Sequence, residues 1–517
     1  TAVLRKLYLQ AAMAQQDQDV IMYYRNGLLL AAALLVPLLL LVRLRRPRGE
    51  NLPPGPWRLP VIGSLHHLVG RLPHRFMRDL ARRYDAPLIL LRLGELDVVV
   101  ASSADAAREV LKTQDAVFAT RMQTPTIRAL TVDGAGIALA PHGEHWRQAR
   151  KLGVTELLGA RPVQSLRGSR EAGVAALVAS IASASAASGP VNVSSLLSTY
   201  IIDVAVRALV GDRIGGDLRG EFLERLGEGV RLATGFGLAD LFPSSRLVRA
   251  FSGSLGRLEA LGRETSRVMD RIIDKHQHAG DEEKDFVDVM LRIQKNDGSL
   301  RAGTIRAMIT DLFGAASDTS ATTLEWAMAE LMGSPAALRR AQAEVRSALA
   351  GESRVREEAL PDLHYLRLVL KETLRLHPAA PLLLPRECPE SRHVLGYTVP
   401  KGAMVLVNAW AIGRDAATWG ADAEEFRPER FEEEAALDFK GTNFKFVPFG
   451  AGRRMCPGIA FGLVVVELAL ASFLFHFDWE LPAGGLHMEE QLGVTARRKG
   501  DLWLHATVRV PVPALAL

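Results

Sequence analysis

The chain has 517 residues and 48% of them are hydrophobic, which allows one large core or several ordinary domains. Its formal charge of +5 comes mostly from four arginines beside one apolar run, so it does not indicate a nucleic-acid partner. Those residues are Arg43, Arg45, Arg46 and Arg48. Two cysteines in so long a chain exclude a disulfide framework and indicate a reducing compartment.

The apolar run near the N-terminus predicts a membrane anchor. It extends from Gly27 to Val42, with Val20 to Tyr24 just before it, and approaches the ~20 residues that cross a bilayer. Basic and proline-rich sequence follows it instead of a small-residue cleavage site, which disfavours a secretory signal peptide. By the positive-inside rule, the basic flank places the rest of the chain in the cytosol.

A stiff proline segment separates this run from the remaining sequence. Leu52-Pro53-Pro54-Gly55-Pro56 cannot continue a helix, because proline lacks the N–H that a helix needs. No repeat or low-complexity linker follows it. The sequence therefore predicts four parts: an extension of unknown role at residues 1–19, a transmembrane anchor at 20–42, a basic and proline-rich hinge at 43–57, and one catalytic domain at 58–517.

Beyond the hinge, apolar residues recur mainly at helical spacing, so the chain is predicted to be mainly α with small β-sheets. Leu88 to Leu93 and Asp97 to Ala101 flank Gly94-Glu95 and predict a β-hairpin. A further strand is predicted at Leu502 to Val510. Helices are predicted at Pro73–Arg83, Ala104–Thr113, Gly143–Leu152, Gly220–Leu232, Phe251–His278, Phe286–Gln294, Thr304–Met332, Leu363–Leu376 and Ile459–Phe475.

One of the two cysteines lies in a distinctive run, with Phe449, Gly452, Arg454, Cys456 and Gly458 at fixed spacing. Glycines let a backbone pass close to a flat macrocycle, and an arginine pairs with a propionate carboxylate. A thiolate axial ligand donates electron density to haem iron and favours O–O cleavage. A lone cysteine is more often a small buried hydrophobe, but this frame reverses that interpretation. The run therefore predicts that Cys456 is the axial ligand of a haem iron.

These five residues fill every fixed position of the pattern F-x-x-G-x-R-x-C-x-G, and on them the chain resembles the cytochrome P450 family. The resemblance covers residues 52–510 and implies the P450 fold, with one large catalytic domain behind an N-terminal anchor. It also implies haem b (iron protoporphyrin IX) as the cofactor. Asp240-Leu241-Phe242-Pro243 and Pro428-Glu429-Arg430-Phe431 are similar to endoplasmic-reticulum members of plant specialised metabolism.

Glu372 and Arg375 stand three residues apart in an otherwise apolar helix, which places them on one face. An E-x-x-R pair alone is usually a solvated ion pair. In the resembling family, the equivalent residues join the arginine of a downstream motif, here Arg430, in a buried triad that supports the haem loop. The resemblance therefore implies a structural role for Glu372, Arg375 and Arg430.

Three residues are implied by the resemblance to bind the haem propionates. Trp146 and Arg150 lie four residues apart on a predicted helix, and Arg386 follows Pro385 in a loop. The competing interpretation of Trp146 and Arg150 is an ordinary surface helix with one packed tryptophan.

The oxygen chemistry is expected in Ala315-Ala316-Ser317-Asp318-Thr319-Ser320, which resembles the family pattern A/G-G-x-D/E-T. The resemblance implies that the Thr319 hydroxyl holds oxygen and its waters while Asp318 brings protons inward. The usual glycine is replaced by Ala316, which adds a methyl group where the helix normally opens. We expect activity because Asp318 and Thr319 are both retained.

The electrons are expected to come from a partner. No G-x-G-x-x-G motif follows a strand to open a βαβ unit, and too little chain follows Cys456 for a flavin domain. The resemblance therefore implies that NADPH and flavins act only through an NADPH-cytochrome P450 reductase, at an endoplasmic-reticulum membrane with a single-pass anchor. The expected partners are this reductase, the lipid bilayer, O2 and an apolar substrate.

The predicted reaction is the insertion of one oxygen atom into a hydrophobic small molecule such as a terpenoid. The pocket is expected to include Ala315, Ala380 and Leu384, by analogy with the family. Two alternatives stay open: a haem-thiolate isomerase or dehydratase that needs no reductase, and a catalytically silent, membrane-anchored haem binder, which Ala316 motivates.

Overall fold

The computed structural model describes residues 33, 35, 51–131, 136–186, 189–212, 214–232, 237–251, 253–278, 285–298, 300–434, 436–493 and 495–513. The predicted extension at 1–19 lies outside the described residues. So does the predicted anchor at 20–42, apart from two positions within it.

Helices dominate the part of the chain that is described, as predicted. In chain order they are α1 Pro73–Tyr84, α2 Ala104–Arg108, α3 Asp115–Phe118, α4 Pro125–Leu130, α5 Glu144–Leu152, α6 Ala160–Ser165, α7 Arg167–Ser185, α8 Val193–Val210, α9 Gly216–Leu232, α10 Leu238–Leu241, α11 Arg246–Phe251, α12 Gly253–Gln277, α13 Phe286–Asp297, α14 Ala302–Gly333, α15 Pro335–Ala348, α16 His364–Leu376, α17 Ala409–Ile412, α18 Ala416–Trp419, α19 Arg430–Glu433 and α20 Ile459–His476.

The strands are short and form small sheets. They are β1 Leu88–Leu93, β2 Leu96–Ala101, β3 Val191–Asn192, β4 Arg386–Glu387, β5 Arg392–Val394, β6 Tyr397–Val399, β7 Met404–Val407, β8 Phe477–Glu480, β9 Glu490–Leu492, β10 Ala496–Arg498 and β11 Trp503–Val508. The predicted hairpin is confirmed, because β1 and β2 pair antiparallel, and β7 then adds to β2 in parallel in the order β1-β2-β7-β4. The separate β9–β10 hairpin carries residues of the candidate site.

The core is organised around α14, which packs against α8 on one side and α20 on another. Trp326 in α14 and Phe473 in α20 are fully buried. Helices α8 and α20 are apolar enough to cross a membrane by length and composition, yet 56% and 72% of their residues are buried inside the protein. The burial of most of their residues inside the protein explains why both helices are so apolar.

Three of the longer helices, α7, α8 and α15, were not predicted from periodicity. α7 is rich in alanine and serine, and the exposed side of α8 begins with small polar residues such as Ser195 and Thr199, so neither helix contrasts strongly with its apolar face. The predicted helix 251–278 begins instead at Gly253, after the short helix α11.

Candidate active site

Cys456 lies on a tight loop between a 3₁₀ turn at Gly452–Arg454 and the start of α20. Its backbone N–H donates to the carbonyl of Phe449 at 3.0 Å, which closes the loop. Burial raises the pKa of the Cys456 thiol, while the backbone N–H of Gly458 and the charge of Arg150 act in the opposite direction. Cys456 is nevertheless exposed by surface area. A thiol that is deep in the protein and still accessible borders an internal cleft.

Gly452 and Gly458 of this loop have different surroundings. Gly452 has φ +68°, and a Cβ there would overlap the carbonyl oxygen of Leu111. Glycine is therefore needed at 452 because the chain packs closely there. The sequence suggested a different reason, the passage of the backbone beside a macrocycle. Gly458 differs, since a Cβ there would meet nothing within 4 Å. The side of the loop next to the thiol is thus open.

Four guanidinium groups converge on the region beside this loop. Arg121, Arg386 and Arg454 are buried, and Arg150 donates to the carbonyl of Met455. Burial together with the charges of Arg386 and Arg150 lowers the pKa of Arg454 to about 9. Burial and the neighbouring arginines hold the pKa of Arg121 well below its usual range. The positive charges are close enough to repel one another.

Few anions balance this cluster within the described chain. Asp115 lies 3.3 Å from Arg386 Nη1, and it also accepts from the backbone N–H of Arg453 at 2.8 Å. Burial raises the pKa of Asp311 to about 6, so this carboxyl is a weaker counter-charge near neutral pH, although it accepts the N–H groups of Ile137 and Ala138. The excess of buried positive charge suits a ligand that carries carboxylates.

Trp146 and Arg150 lie on one face of α5, as predicted. Trp146 Nε1 donates to the carbonyl of Ile137 at 2.9 Å, and the guanidinium of Arg454 stacks 4.0 Å from the centre of its ring. Arg454 in turn donates to the carbonyls of Ala119 and Ile137 at 2.7 and 3.1 Å. These contacts tie α5 to the cysteine loop. Here the indole N–H and all three guanidinium nitrogens of Arg454 donate to backbone carbonyls, the third being that of Ala140.

The structure brings Glu372, Arg375 and Arg430 together, all fully buried. Arg375 forms a bidentate pair with Glu372, and Arg430 Nε lies 3.4 Å from Glu372 Oε1. Arg375 also donates to the carbonyls of Gly413 and Ala423 at 2.5 and 2.6 Å. The pair therefore fixes the backbone of the segment that leads into the cysteine loop.

Helix α14 packs against α20, which follows the cysteine loop, and continues without a break through the position of Ala316. Thr319 Oγ1 donates to the carbonyl of Ala315 at 2.8 Å, one turn earlier. Asp318 is buried, whereas Ala315 is exposed and Thr319 is half-buried. The helix therefore turns Ala315 and Thr319 toward open space and Asp318 into the protein.

The other two residues predicted for the pocket follow α16. Ala380 is half-buried, and its carbonyl accepts the N–H of Leu383 at 3.0 Å in a turn. Leu384 is 41% exposed, and its carbonyl accepts from Arg121 Nη1 at 2.7 Å. The backbone around Leu384 thus belongs to the cationic cluster.

Sequence reasoning missed Arg121, Asp115 and Asp311. None of them belongs to a motif with fixed spacing. They come together only because α3, the segment after it and α14 are adjacent in the fold. One signal was available in the sequence: Arg121 and Asp115 lie in an otherwise apolar stretch that buries Phe118.

These residues fit a haem. Cys456 offers an accessible thiol beside an open glycine, and the arginines supply the charge that two propionates require. A mainly helical fold with this thiol loop, its supporting Glu–Arg network and a polar pair on the facing helix defines a haem-thiolate protein.

Comparison with known proteins agrees. The family model "Cytochrome P450" matches residues 53–504. The chain is 44% identical over 497 residues to a desmethyl-deoxy-podophyllotoxin synthase of Sinopodophyllum hexandrum, covering 93% of this chain and 96% of the relative. It is 44% identical over 480 residues to a dolabradiene monooxygenase of Zea mays and 42% identical over 480 residues to a 5-epiaristolochene 1,3-dihydroxylase of Nicotiana tabacum, each time covering 90% of this chain and 94% of the relative. The chain therefore belongs to the cytochrome P450 family of haem-thiolate monooxygenases.

Proposed function

We propose that this protein inserts one oxygen atom of O2 into an apolar small molecule of plant specialised metabolism, with terpenoids as the first class to test. The accessible thiol of Cys456, held deep in its loop, is the observation that carries this proposal. The names of the relatives support the substrate class, since they include a dolabradiene monooxygenase and a 5-epiaristolochene dihydroxylase.

We assign the site residues by their contacts. Cys456 would hold the haem iron through its thiolate, in a loop that Phe449, Gly452 and Gly458 shape. A haem with a thiolate ligand supplies, when bound, the activation of O2 for insertion into a C–H bond. Arg454 and its neighbours, which are Trp146, Arg150, Arg386 and Arg121, would lie at the propionate side of the haem.

The facing helix handles protons and substrate. Thr319 presents its hydroxyl to the cleft, and Asp318 is the carboxyl nearest to it along the helix. Ala315, Ala380 and Leu384 offer apolar surface to the substrate. The overall reaction is RH + O2 + NADPH + H⁺ → ROH + H2O + NADP⁺.

Electrons for this reaction come, in our proposal, from an NADPH-dependent flavin reductase at the endoplasmic-reticulum membrane. The part of the chain that is described contains the P450 domain and adds no flavin or nicotinamide domain to it. The anchor at 20–42 and the hinge at 43–57 tether the domain at 58–517 to the bilayer on its cytosolic side, so both partners share one surface.

The test is a carbon-monoxide difference spectrum of the reduced, full-length protein in detergent, followed by turnover with a reductase. We expect the Soret band of a thiolate-ligated haem, loss of that band in Cys456→Ala and its retention in Cys388→Ala. Cys388 is the matched control, because it is buried and its thiol donates to the carbonyl of Glu390 at 2.9 Å. A normal band in Cys456→Ala contradicts the ligand assignment.

Turnover separates the remaining alternatives. We expect a terpenoid product that carries one added oxygen and forms only with O2, NADPH and reductase. Product without NADPH or reductase indicates an isomerase or dehydratase. If the wild type has a normal spectrum but no turnover, and Ala316→Gly restores turnover, the protein is a silent haem binder.

A further inference from the structure

A groove lies between the end of the hinge and helix α1. It encloses a cavity of about 300 Å³, near the lower end of the ~300–1,000 Å³ that is typical of small-molecule sites. Among the described residues, its lining shares none with the candidate active site. The lining combines charged and aromatic side chains, which are Trp57, Arg71, Phe76, Asp79, Arg83 and Tyr84. The groove therefore suits a small group that carries charges of both signs.

Two arginines of the groove are left available by the rest of the fold. The chain has five arginines between positions 71 and 83. Three of them have partners elsewhere, namely Arg75 with Glu490, Arg78 with Glu424 and Arg82 with the carbonyl of Arg414. Within the described chain neither Arg71 nor Arg83 pairs with a carboxylate, and the Arg71 guanidinium lies 5.6 Å from the centre of the Phe76 ring. Two guanidinium groups without ion-pair partners suit a phosphate, which this fork-shaped group binds bidentately.

The same groove offers a place for a cation. The side chain of Asp79 is 60% exposed, and both contacts that Arg78 makes with it, at 2.9 and 3.0 Å, fall on Oδ1. Trp57 is 63% exposed although the ring of His66 packs 4.2 Å from its centre, and Tyr84 is exposed as well. Open aromatic faces attract a quaternary ammonium group, and a carboxylate in the same groove adds charge attraction.

The position of the groove in the chain favours a membrane lipid over a soluble ligand. Trp57 is the last residue of the predicted hinge at 43–57, which leads from the predicted anchor. In the segment between Trp57 and Arg71, Val61 and Val69 are 74% and 80% exposed. Exposed apolar side chains beside a tryptophan are typical of the boundary of a bilayer, where head groups and acyl chains meet.

We propose that this groove binds the phosphocholine head group of a membrane phospholipid. Arg71 and Arg83 bind the phosphate, while Trp57 and Asp79 bind the choline ammonium. The acyl chains lie along the two exposed valines. One bound lipid thus fixes the orientation of the catalytic domain at the end of its hinge. This inference rests on the proposed attachment to a bilayer and not on the proposed reaction.

The first test uses the head group alone, so it does not require a membrane. The full-length, haem-loaded protein in maltoside detergent is titrated with glycerophosphocholine, and binding is measured from the relaxation of the choline methyl protons by NMR. We expect saturable binding with Kd on the order of 1 mM. Arg71→Gln, Arg83→Gln and Trp57→Leu should each weaken it about 5-fold or more. Arg82→Gln is the matched control and should bind like wild type, because Arg82 lies on the same helix outside the groove.

Two simpler anions separate phosphocholine recognition from plain anion binding. Inorganic phosphate and glycerol phosphate lack the ammonium group, so we expect both to compete weakly with glycerophosphocholine. If either competes with equal affinity, the groove is a general anion site and the proposal is wrong. The absence of saturable binding also overturns it, as does an unchanged affinity in both Trp57→Leu and Asp79→Asn.

The second test counts the lipids on the whole protein. Full-length protein is released from nanodiscs of phosphatidylcholine and examined by native mass spectrometry. We expect one retained phosphatidylcholine, which Arg83→Gln loses and the neighbouring Arg82→Gln keeps. Nanodiscs of phosphatidylglycerol should leave less lipid on the wild type, since this lipid has no ammonium group. Equal retention in the two variants, or stronger retention of phosphatidylglycerol, overturns the proposal.

These outcomes are separable from failure of the proposed function. Neither test requires turnover, so both decide about the groove even if the wild type forms no product with O2 and NADPH. If the protein does not enter bilayers at all, the proposed attachment fails, and the titration with glycerophosphocholine still decides whether the groove binds the head group.

Discussion

Arg375 holds Glu372 through two parallel hydrogen bonds of 2.7 Å, Nε to Oε2 and Nη2 to Oε1, with both side chains shielded from solvent. Glu372 Oε1 also accepts a hydrogen bond from the backbone N–H of Arg427 at 2.9 Å. Buried charges are tolerated only when they are paired in this way. The pair therefore acts as a fixed point for the loop that precedes Cys456.

Replacing Arg375 by alanine removes the bidentate partner of the buried Glu372 and leaves it only the longer ion pair with Arg430, so we expect a loss of about 3–5 kcal/mol in the free energy of unfolding. Loss of the haem-thiolate band at moderate temperature should accompany it. Arg367→Ala is the matched control on the same helix, because Arg367 is 40% exposed and lies 3.8 Å from Glu467. We expect less than about 1 kcal/mol there. Denaturant unfolding measures both, and equal losses contradict the fixed-point role.

Thr319→Val removes the hydroxyl that faces the cleft and keeps the shape of the side chain. We expect less product and more H2O2 per NADPH, since the hydroxyl no longer positions water for proton transfer. Thr323→Val is the control, as Thr323 Oγ1 makes the same bond to a carbonyl one turn earlier, at 2.9 Å to Thr319 O. Product and peroxide assays decide. A change of similar size in Thr323→Val means that the helix, and not the cleft, responds.

Gly452→Ala places a Cβ against Leu111 in a backbone with φ +68°. We expect a cost of at least about 1–3 kcal/mol and reduced haem retention, because either the backbone or the cysteine loop must shift. Gly168→Ala, in α7 with nothing within 4 Å of the added carbon, should be neutral or slightly stabilising. Thermal unfolding and the haem content of purified protein measure both variants. Full haem content in Gly452→Ala contradicts the packing argument.

His276 makes stability pH-dependent away from the haem loop. Its Nδ1 lies 2.7 Å from the carbonyl of Ile272 and its Nε2 3.1 Å from Asp285 Oδ2, so both ring nitrogens face acceptors. Burial opposes a charge on the ring, but the hydrogen bond and charge of Asp285 outweigh it and raise the pKa of His276 above its ordinary 6.5. A raised pKa in the folded state means that the stabilisation is complete below the unfolded pKa and is lost as pH rises through the folded one.

We therefore expect His276→Gln to lower Tm most at about pH 6, and the gap to wild type to shrink toward about pH 9. His278→Gln is the control, since His278 is 77% exposed and lies 3.6 Å from the equally exposed Asp274. It should change Tm little at either pH. A gap for His276→Gln that widens with rising pH contradicts the assigned charge.

The sequence predicted those parts of the fold and site that depend on short-range patterns. Amphipathic helices such as α1 and α16, the β1–β2 hairpin and the family were predicted and are confirmed. Glu372 and Arg375 lie on one helix turn, so their contact follows from spacing alone. The roles of the haem-site residues remain predictions.

The contacts that could not be predicted from the sequence join residues that are far apart in the chain. Arg497 and Asp318 lie 179 positions apart by number, and no periodicity places β10 on α14. In the sequence, Arg121 has no feature that distinguishes it from a surface arginine. In the structure, α3 and the backbone of Leu384 bury it. The exposed side of α8 is marked by small residues such as Ser195 and Thr199, which makes its helical period weak in the sequence.

The burial of α20 has a consequence for how the protein is made. With a mean hydropathy of 2.1 over 18 residues, this segment would qualify for lateral insertion by a translocon if it emerged alone. Its packing partners α7, α14 and α15 all precede it in the chain, so they have already left the ribosome when it appears. The order of synthesis thus favours packing of this helix against its partners over its insertion into the membrane.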